Sequence, residues 1–340
     1  MNKIIELKNI TKIYDKRNTG GVSNINLDIF EGEVLSILGP SGSGKTTLLN
    51  ILFGKIKEFI GEMNTLEEIS FSYVDQSSEL NPELNVFENI LSPLSDEIDE
   101  TKRINQVRTT LSLFEITNES EKRPSELSGG QYQRVLIAKA LVTNPTILLF
   151  DEAFGHLDEK LRYELSNEIF PLLKSKDITL INVTHNNKEA LSYSDRVLIL
   201  NFGKAQALGK PTDLYFSPPN FFTAQFFGFG NVLVSALEKN EKELHFKLLG
   251  KDKKVPYPEN FALKNQEGLV VIPEEAFQIA KDGEFKAEVL NHYFQGYYTL
   301  LDIIINDTFL NATVISRDYH LEKKLKLNID INALKFINEV

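Results

Sequence analysis

Glu33-Val34-Leu35-Ser36-Ile37-Leu38-Gly39-Pro40-Ser41-Gly42-Ser43-Gly44-Lys45-Thr46-Thr47-Leu48-Leu49-Asn50-Ile51-Leu52 places an apolar run, a glycine-rich turn and a second apolar run in direct succession. The first run is continuous enough for a strand covered on both faces, and the stretch from Thr47 reads as the opening of a helix. Between them lies G-x-x-x-x-G-K-T. Glycines let backbone N–H groups wrap phosphate oxygens, Lys45 reaches the β- and γ-phosphates, and the Thr46 hydroxyl is a ligand for Mg²⁺. Gly39, Pro40, Ser41, Gly42, Ser43, Gly44, Lys45, Thr46 and Thr47 are therefore candidate nucleotide contacts. The helix N-terminus adds roughly half a positive charge at the same point. The alternative is a glycine-rich turn without a ligand, and the flanking strand and helix argue against it.

Two more apolar runs end in chemistry. Thr146-Ile147-Leu148-Leu149-Phe150 follows the Asn144-Pro145 turn and ends at Asp151-Glu152; Ile178-Thr179-Leu180-Ile181-Asn182-Val183 ends at Thr184-His185. Such runs suit a parallel sheet, whose ligands gather at the carboxyl ends of the strands. Phosphoryl transfer is mostly positioning and charge stabilisation. Asp151 is then expected to hold Mg²⁺ through water, and Glu152 to orient or deprotonate the attacking water. Adjacent acids at a strand end otherwise mark a solvated turn, and His185 is otherwise an ordinary strand-end histidine. The agreement of three strand ends carries more weight than any one motif.

Composition narrows the partners. The chain has 340 residues, is 42% hydrophobic and carries a net charge of −11. Its length favours two domains, and its acidity counts against binding a phosphate backbone. Zero cysteines exclude a disulfide framework and thiolate zinc sites. Met1-Asn2-Lys3 leads into a strand-like segment with no apolar secretory core behind it. No run approaches the ~18 apolar residues of a membrane span; Phe221 to Leu237 is broken by Thr223, Gln225, Gly228, Gly230, Asn231 and Ser235. A soluble protein is expected, with any membrane role peripheral.

Leu127-Ser128-Gly129-Gly130-Gln131-Tyr132-Gln133-Arg134 lies between the phosphate loop and the acidic pair. Ser128 and Gln131 form a capping-box pattern for a helix running through Leu141. Capping does not explain two consecutive glycines, which lower helix propensity and bare N–H groups for a second phosphate-facing terminus. In this order the three motifs resemble those of the ATP-binding cassette ATPases. The resemblance implies that Ser128, Gly129, Gly130 and Gln131 meet the γ-phosphate of ATP held by a partner subunit. One phosphate loop and one signature per chain then imply a head-to-tail homodimer around two ATP. It makes His185 the γ-phosphate clamp. Tyr14 takes the place of the aromatic that stacks on adenine, or is a strand-face tyrosine. Gln76, in Tyr73-Val74-Asp75-Gln76, matches a glutamine that senses Mg²⁺ and the membrane partner; a lone glutamine is otherwise a surface residue. Gly155-His156-Leu157-Asp158 occupies the D-loop, with Asp158 facing across the dimer. Ala153, Gly155 and Asn186 depart from the common residues, and the short span from Lys45 to Gln76 predicts a trimmed antiparallel side-sheet.

Asn85-Val86-Phe87-Glu88-Asn89-Ile90 resembles the opening of the helical subdomain of importer ATPases, here about 82–142. The match continues from Lys188 to Asn231, as in importers for polyamines, ferric iron, sulfate or sugars. Beyond it, period-two stretches at Glu243–Leu248, Glu284–Leu290, Tyr297–Ile305, Phe309–Ile315 and Glu322–Ile329 suggest about five strands and a small barrel. They resemble the transport-associated (TOBE) domain of importer ATPases, an oligonucleotide/oligosaccharide-binding (OB) shape. Ile272-Pro273-Glu274 lacks the arginine of that domain's Arg-Pro-Glu segment. Tyr293, Phe294, Tyr297 and Tyr298 suggest base stacking, but residues 231–340 hold 14 Lys and Arg against 17 Asp and Glu, so no nucleic-acid partner is expected.

The expected architecture is an α/β P-loop ATPase domain over 1–230 with a helical subdomain, followed by an all-β OB-like barrel over 231–340. The resemblance implies a cytoplasmic ATPase, peripheral on the inner face of the cell membrane. Its implied partners are integral membrane permease subunits and a separate substrate-binding protein, with ATP and Mg²⁺ as cofactors. The alternative is an ATP-gated clamp of the same superfamily without transport.

Overall fold

The computed structural model describes residues 2–14, 20–66, 69–155, 157–258, 261–264, 266–320 and 322–338; His156 of the D-loop lies outside them. The chain parts into two compact units, Met1–Pro211 and Thr212–Val340.

In the first unit, β1 (Lys3–Ile13), β2 (Gly21–Phe30) and β4 (Ile60–Thr65) form a three-stranded antiparallel sheet. A six-stranded sheet has the order β5-β6-β7-β3-β8-β9. Its strands are β3 (Val34–Leu38), β5 (Phe71–Asp75), β6 (Ile147–Asp151), β7 (Thr179–Val183), β8 (Arg196–Asn201) and β9 (Lys204–Gly209). The first five in that order run parallel and β9 returns antiparallel.

Every residue of β3 and β7 is buried, so the period-two rule sorts side chains between two cores rather than between core and water. Leu35, Ile37, Ile147, Leu149, Ile181 and Val183 pack with α1 (Lys45–Leu52) and the antiparallel sheet. Val34, Leu148, Phe150 and Leu180 face the other way, toward α2 (Val86–Leu91), α3 (Glu100–Leu113), α4 (Gly129–Leu141) and α5 (Glu159–Ser175). The short α6 (Asn187–Tyr193) follows β7. The sheet is thus clamped between layers, and its carboxyl edge is held rigidly.

The second unit opens inside α7 (Pro211–Phe216), carries α8 (Phe221–Phe226) and continues as strands. One five-stranded sheet has the order β12-β11-β10-β13-β19: Lys251–Pro256, Glu243–Leu248, Asn231–Asn240, Glu267–Ile272 and Lys335–Ile337. The other is β14-β18-β15-β16-β17: Phe277–Ile279, Lys324–Ile329, Phe285–Gln295, Tyr298–Ile305 and Thr308–Ile315. The unit is all-β beyond residue 231, with about twice the strands that alternation suggests. The division at 211/212 falls earlier than the expected 230/231. The physical reason is apolar packing: Ala224 and Phe229, with Tyr215 and Phe227 against them, cluster with Leu269, Val271 and Ile337 of β13 and β19.

Asn231 joins the two sheets of this unit. Its Nδ2 donates to the carbonyls of Asn311 (2.7 Å) and Ile272 (3.2 Å), and its Oδ1 accepts from the Asn311 N–H (2.7 Å). Asn231→Ala strands both backbone groups of Asn311 in a partly buried place. The expected cost is about 3 kcal/mol, read as faster hydrogen exchange across β10 and β17.

Candidate functional site

β3 delivers the chain into the glycine-rich turn at Gly39, and α1 takes it away at Lys45. Gly44, the helix N-cap, has φ 102°, and a Cβ there would lie 2.4 Å from the Gly21 carbonyl oxygen. No other residue fits so close to β2. The first intrahelical bond runs from Leu48 N–H to Gly44 O, so the N–H groups of Lys45, Thr46 and Thr47 have no acceptor within the helix. Lys45 Nζ folds back to donate to the carbonyls of Gly39 (2.8 Å) and Pro40 (3.0 Å). Burial pulls its pKa down, and Glu152 and Asp151 oppose that shift. Ser43 Oγ is buried without a hydrogen-bond partner. The loop is rich in donors, and a phosphate supplies the acceptors they lack.

The acids stand beside it. β5 and β6 pair with Asp75 opposite Asp151, which puts the exposed Gln76 at the strand end next to Asp151. Asp151 accepts from the Tyr73 hydroxyl at 3.0 Å and from Thr46. Burial raises the Asp151 pKa, Glu152 and Asp75 push it further up, and the two hydroxyl bonds pull it back. Hydroxyl and carboxylate oxygens in contact, in a place crowded with negative charge, are a donor set that fits a hard divalent ion such as Mg²⁺.

Glu152 is left-handed, with φ 54°, a conformation that costs a non-glycine residue of order 1–3 kcal/mol. It is held by Glu152 N–H to Val183 O (2.8 Å) and by Gly155 N–H to Glu152 O (2.8 Å). The bend brings Glu152 Oε2 to 3.5 Å from His185 Nδ1. Glu152, Gly155, Arg162, Thr184, His185 and Glu189 line a hollow of about 10 Å³, room for about one water.

The remaining expected residues are placed as follows. Tyr14 is 58% exposed at the end of β1, where Ile13 pairs with Gly21, the neighbour of Gly44. Ser128 caps α4 and forms a full capping box with Gln131. Gln131 Oε1 accepts from Ser128 N–H (3.0 Å) and Nε2 donates to Glu119 (3.0 Å), so its side chain is committed to the helix cap and to Glu119. A Cβ on Gly130 would sit 3.1 Å from Leu161, a packing demand beside the exposed N–H groups. Asp158 caps α5 by accepting from Leu161 N–H (3.0 Å). Among the described residues no hydrogen bond or ion pair joins the signature to the phosphate loop of the same chain.

The family described as ABC transporter matches residues 22–155. The spermidine/putrescine import ATP-binding protein PotA of Borreliella afzelii is 36% identical over 318 residues, 90% of this chain and 90% of that protein. Its counterpart in Thermotoga maritima is 37% identical over 304 residues, 86% of this chain and 82% of that one. The chain is an importer-type ABC ATPase. Among solved structures it resembles cbiO1 of Clostridium perfringens, part of the ABC transporter complex cbiONQ: TM-score 0.58, 26% identity, 63% of this chain and 91% of that one. It also resembles the ATP-binding cassette MJ0796, solved as a dimer in a post-hydrolysis state with ADP and Pi: TM-score 0.51, 31% identity, 61% and 99%.

Three side chains of this ABC ATPase have roles that a reading of its motifs does not give. Gln133 of α4 is buried and donates to the Ala153 carbonyl (2.9 Å), tying the signature helix to the segment after Glu152. Arg162 of α5 donates to the carbonyls of Phe154 (3.1 Å), Gly155 (3.2 Å) and Leu157 (3.0 Å). Glu189 of α6 accepts from Asn182 Nδ2 (2.8 Å) on β7, and also from Thr184 and Ser166; burial raises its pKa. Arg162 faces Glu189 electrostatically. The D-loop and the His185 turn therefore share one network.

Proposed function

We propose that this ABC ATPase energises a polyamine importer, with spermidine or putrescine as cargo. The support is a match that runs over 86–90% of the chain to spermidine/putrescine import ATP-binding proteins, beyond the ATPase unit and into the strands after 231. No described helix is long and apolar enough to cross a membrane, so the cargo's path belongs to separate permease subunits, fed by a separate substrate-binding protein. The subunit then works as a peripheral protein on the inner, cytoplasmic face, with residues 231–340 as a regulatory or dimer-contact domain.

The observation that carries the chemistry is the convergence of four strand ends on one edge. Lys45 and the free N–H groups of Gly44–Thr47 take the β- and γ-phosphates, releasing Lys45 from the Gly39 and Pro40 carbonyls. Thr46 and Asp151 hold Mg²⁺, with Gln76 beside them; the ion supplies charge neutralisation of the transferring phosphoryl group. Glu152 orients and deprotonates the water, and His185 contacts the γ-phosphate. Tyr14 stacks on the base. Ser128, Gly129, Gly130, Gln131 and Asp158 act across the interface, completing each site in a head-to-tail homodimer.

The test is uptake in the host. Cells lacking this chain are expected to lose ATP-dependent uptake of labelled spermidine and putrescine. Wild type should restore it and Glu152→Gln should not. Normal uptake in those cells, or a Glu152→Gln protein trapped with ATP that retrieves no multi-span permease from solubilised membranes, overturns the importer reading.

A further inference from the structure

Lys335 is a buried cation with no assigned task. It sits on β19, paired to Val271 of β13, and is 5% exposed. Its Nζ lies 4.7 Å from the ring centre of Phe229 and 5.0 Å from those of Tyr215 and Phe216. Aromatic faces attract an ammonium but accept none of its three N–H donors in a strong hydrogen bond. Among the described residues the Lys335 ammonium makes no hydrogen bond or ion pair. Glu275, engaged by the Tyr215 hydroxyl at 3.5 Å, reaches it only as a field. The ammonium tip is not sealed from its surroundings, so an acceptor can still reach it.

Next to it is a space for one. Phe216, Pro218, Pro219, Phe261, Phe336 and Lys335 line a pocket of about 310 Å³, within the second unit. Phe216 is shared, forming one wall of the ammonium's cage and one wall of the pocket. The walls are mostly apolar rings and prolines, with Ser217 and Asn338 as polar members, and among the described residues the charged ones on the lining are Lys335 and Lys264. Volume and lining suit a body on the order of ten heavy atoms. Both charges are positive.

We propose that this pocket binds a small organic anion, a carboxylate on an apolar body, with the Lys335 ammonium as its charge partner. The site is separate from nucleotide hydrolysis and does not depend on the cargo. Burial lowers the Lys335 pKa to about 8, against the pull of Glu275. The protonated amine binds the anion, so affinity is full below that value and falls as pH rises through it. Among the described residues, Glu275 and the Tyr215 hydroxyl are the titratable groups near it, and Lys264 lines the same pocket.

Octanoate is the probe, measured by calorimetry on the full-length protein. Binding at pH 7 is expected, weaker by about thirtyfold at pH 9.5, where the amine is mostly neutral, and at least tenfold weaker in Lys335→Met. Octanol and octylamine should each bind at least tenfold more weakly than octanoate. Ala262 also lines the pocket, and Ala262→Trp narrows it and leaves Lys335 untouched, so it serves if Lys335→Met does not fold; it should also lose binding. No octanoate binding, equal binding in either variant, or equal binding of octylamine overturns the proposal.

Discussion

Glu152→Gln is expected to lower ATP turnover by roughly 10²–10⁴-fold, the span associated with loss of a positioned general base, while ATP binding survives. The amide has the shape of the carboxylate but takes no proton at neutral pH. The bonds that fix this residue are backbone bonds, to Val183 O and from Gly155 N–H, so the left-handed turn persists. Lys45, Thr46 and Asp151 keep their places, and losing one negative charge near the phosphates favours the triphosphate. Phosphate release should therefore collapse while ATP-dependent dimers accumulate, measured by light scattering with Mg-ATP. Wild-type turnover in this variant would move the base away from Glu152. A loss of nucleotide binding would show that Glu152 supports the loop instead.

The edge that carries this chemistry is legible in the sequence because each contributing strand is an apolar run ended by a polar motif. Parallel strands buried on both faces cannot hide such a pattern. Ser128 and Gln131 are legible for a related reason: a capping box is a local contract between residues three apart. Arg162 and Glu189 are not. Each sits in an amphipathic helix where a charged residue ordinarily meets water, and only the tertiary approach of the D-loop to the His185 turn gives them partners. Gln133 is hidden in the same way, inside a signature whose neighbours draw the eye. In the second unit, β11, β16 and β17 alternate cleanly. The edge strand β12, Lys-Asp-Lys-Lys-Val-Pro, does not look like a strand, because charge along an exposed edge guards against pairing with another sheet. Among the residues after Phe221, Ala224, Phe227 and Phe229 pack within the second unit, against β13 and β19.

Arg162→Ala is expected to cost about 3 kcal/mol of stability, the scale for leaving several partly buried carbonyls without their donor, and to slow ATP turnover as well. Three carbonyls, those of Phe154, Gly155 and Leu157, lose their donor together, and Glu189 loses its cation in a buried place. Two readouts separate these losses. The folded-state pKa of Glu189 already lies above its unfolded value, so ionising it opposes folding as pH rises through the folded value. Without Arg162 that penalty grows. The deficit measured by urea unfolding should then be larger at pH 8 than under mild acid, where the carboxyl takes a proton. Adding Glu189→Gln to Arg162→Ala removes the unpaired charge and keeps an acceptor for Asn182, so it should restore part of the stability. It should not restore turnover, because the carbonyls beside Glu152 still lack their donor. A double-mutant cycle with no coupling between 162 and 189 would mean that the guanidinium acts on the D-loop alone. Turnover that recovers with stability would mean that the network holds the fold and leaves the catalytic turn to itself.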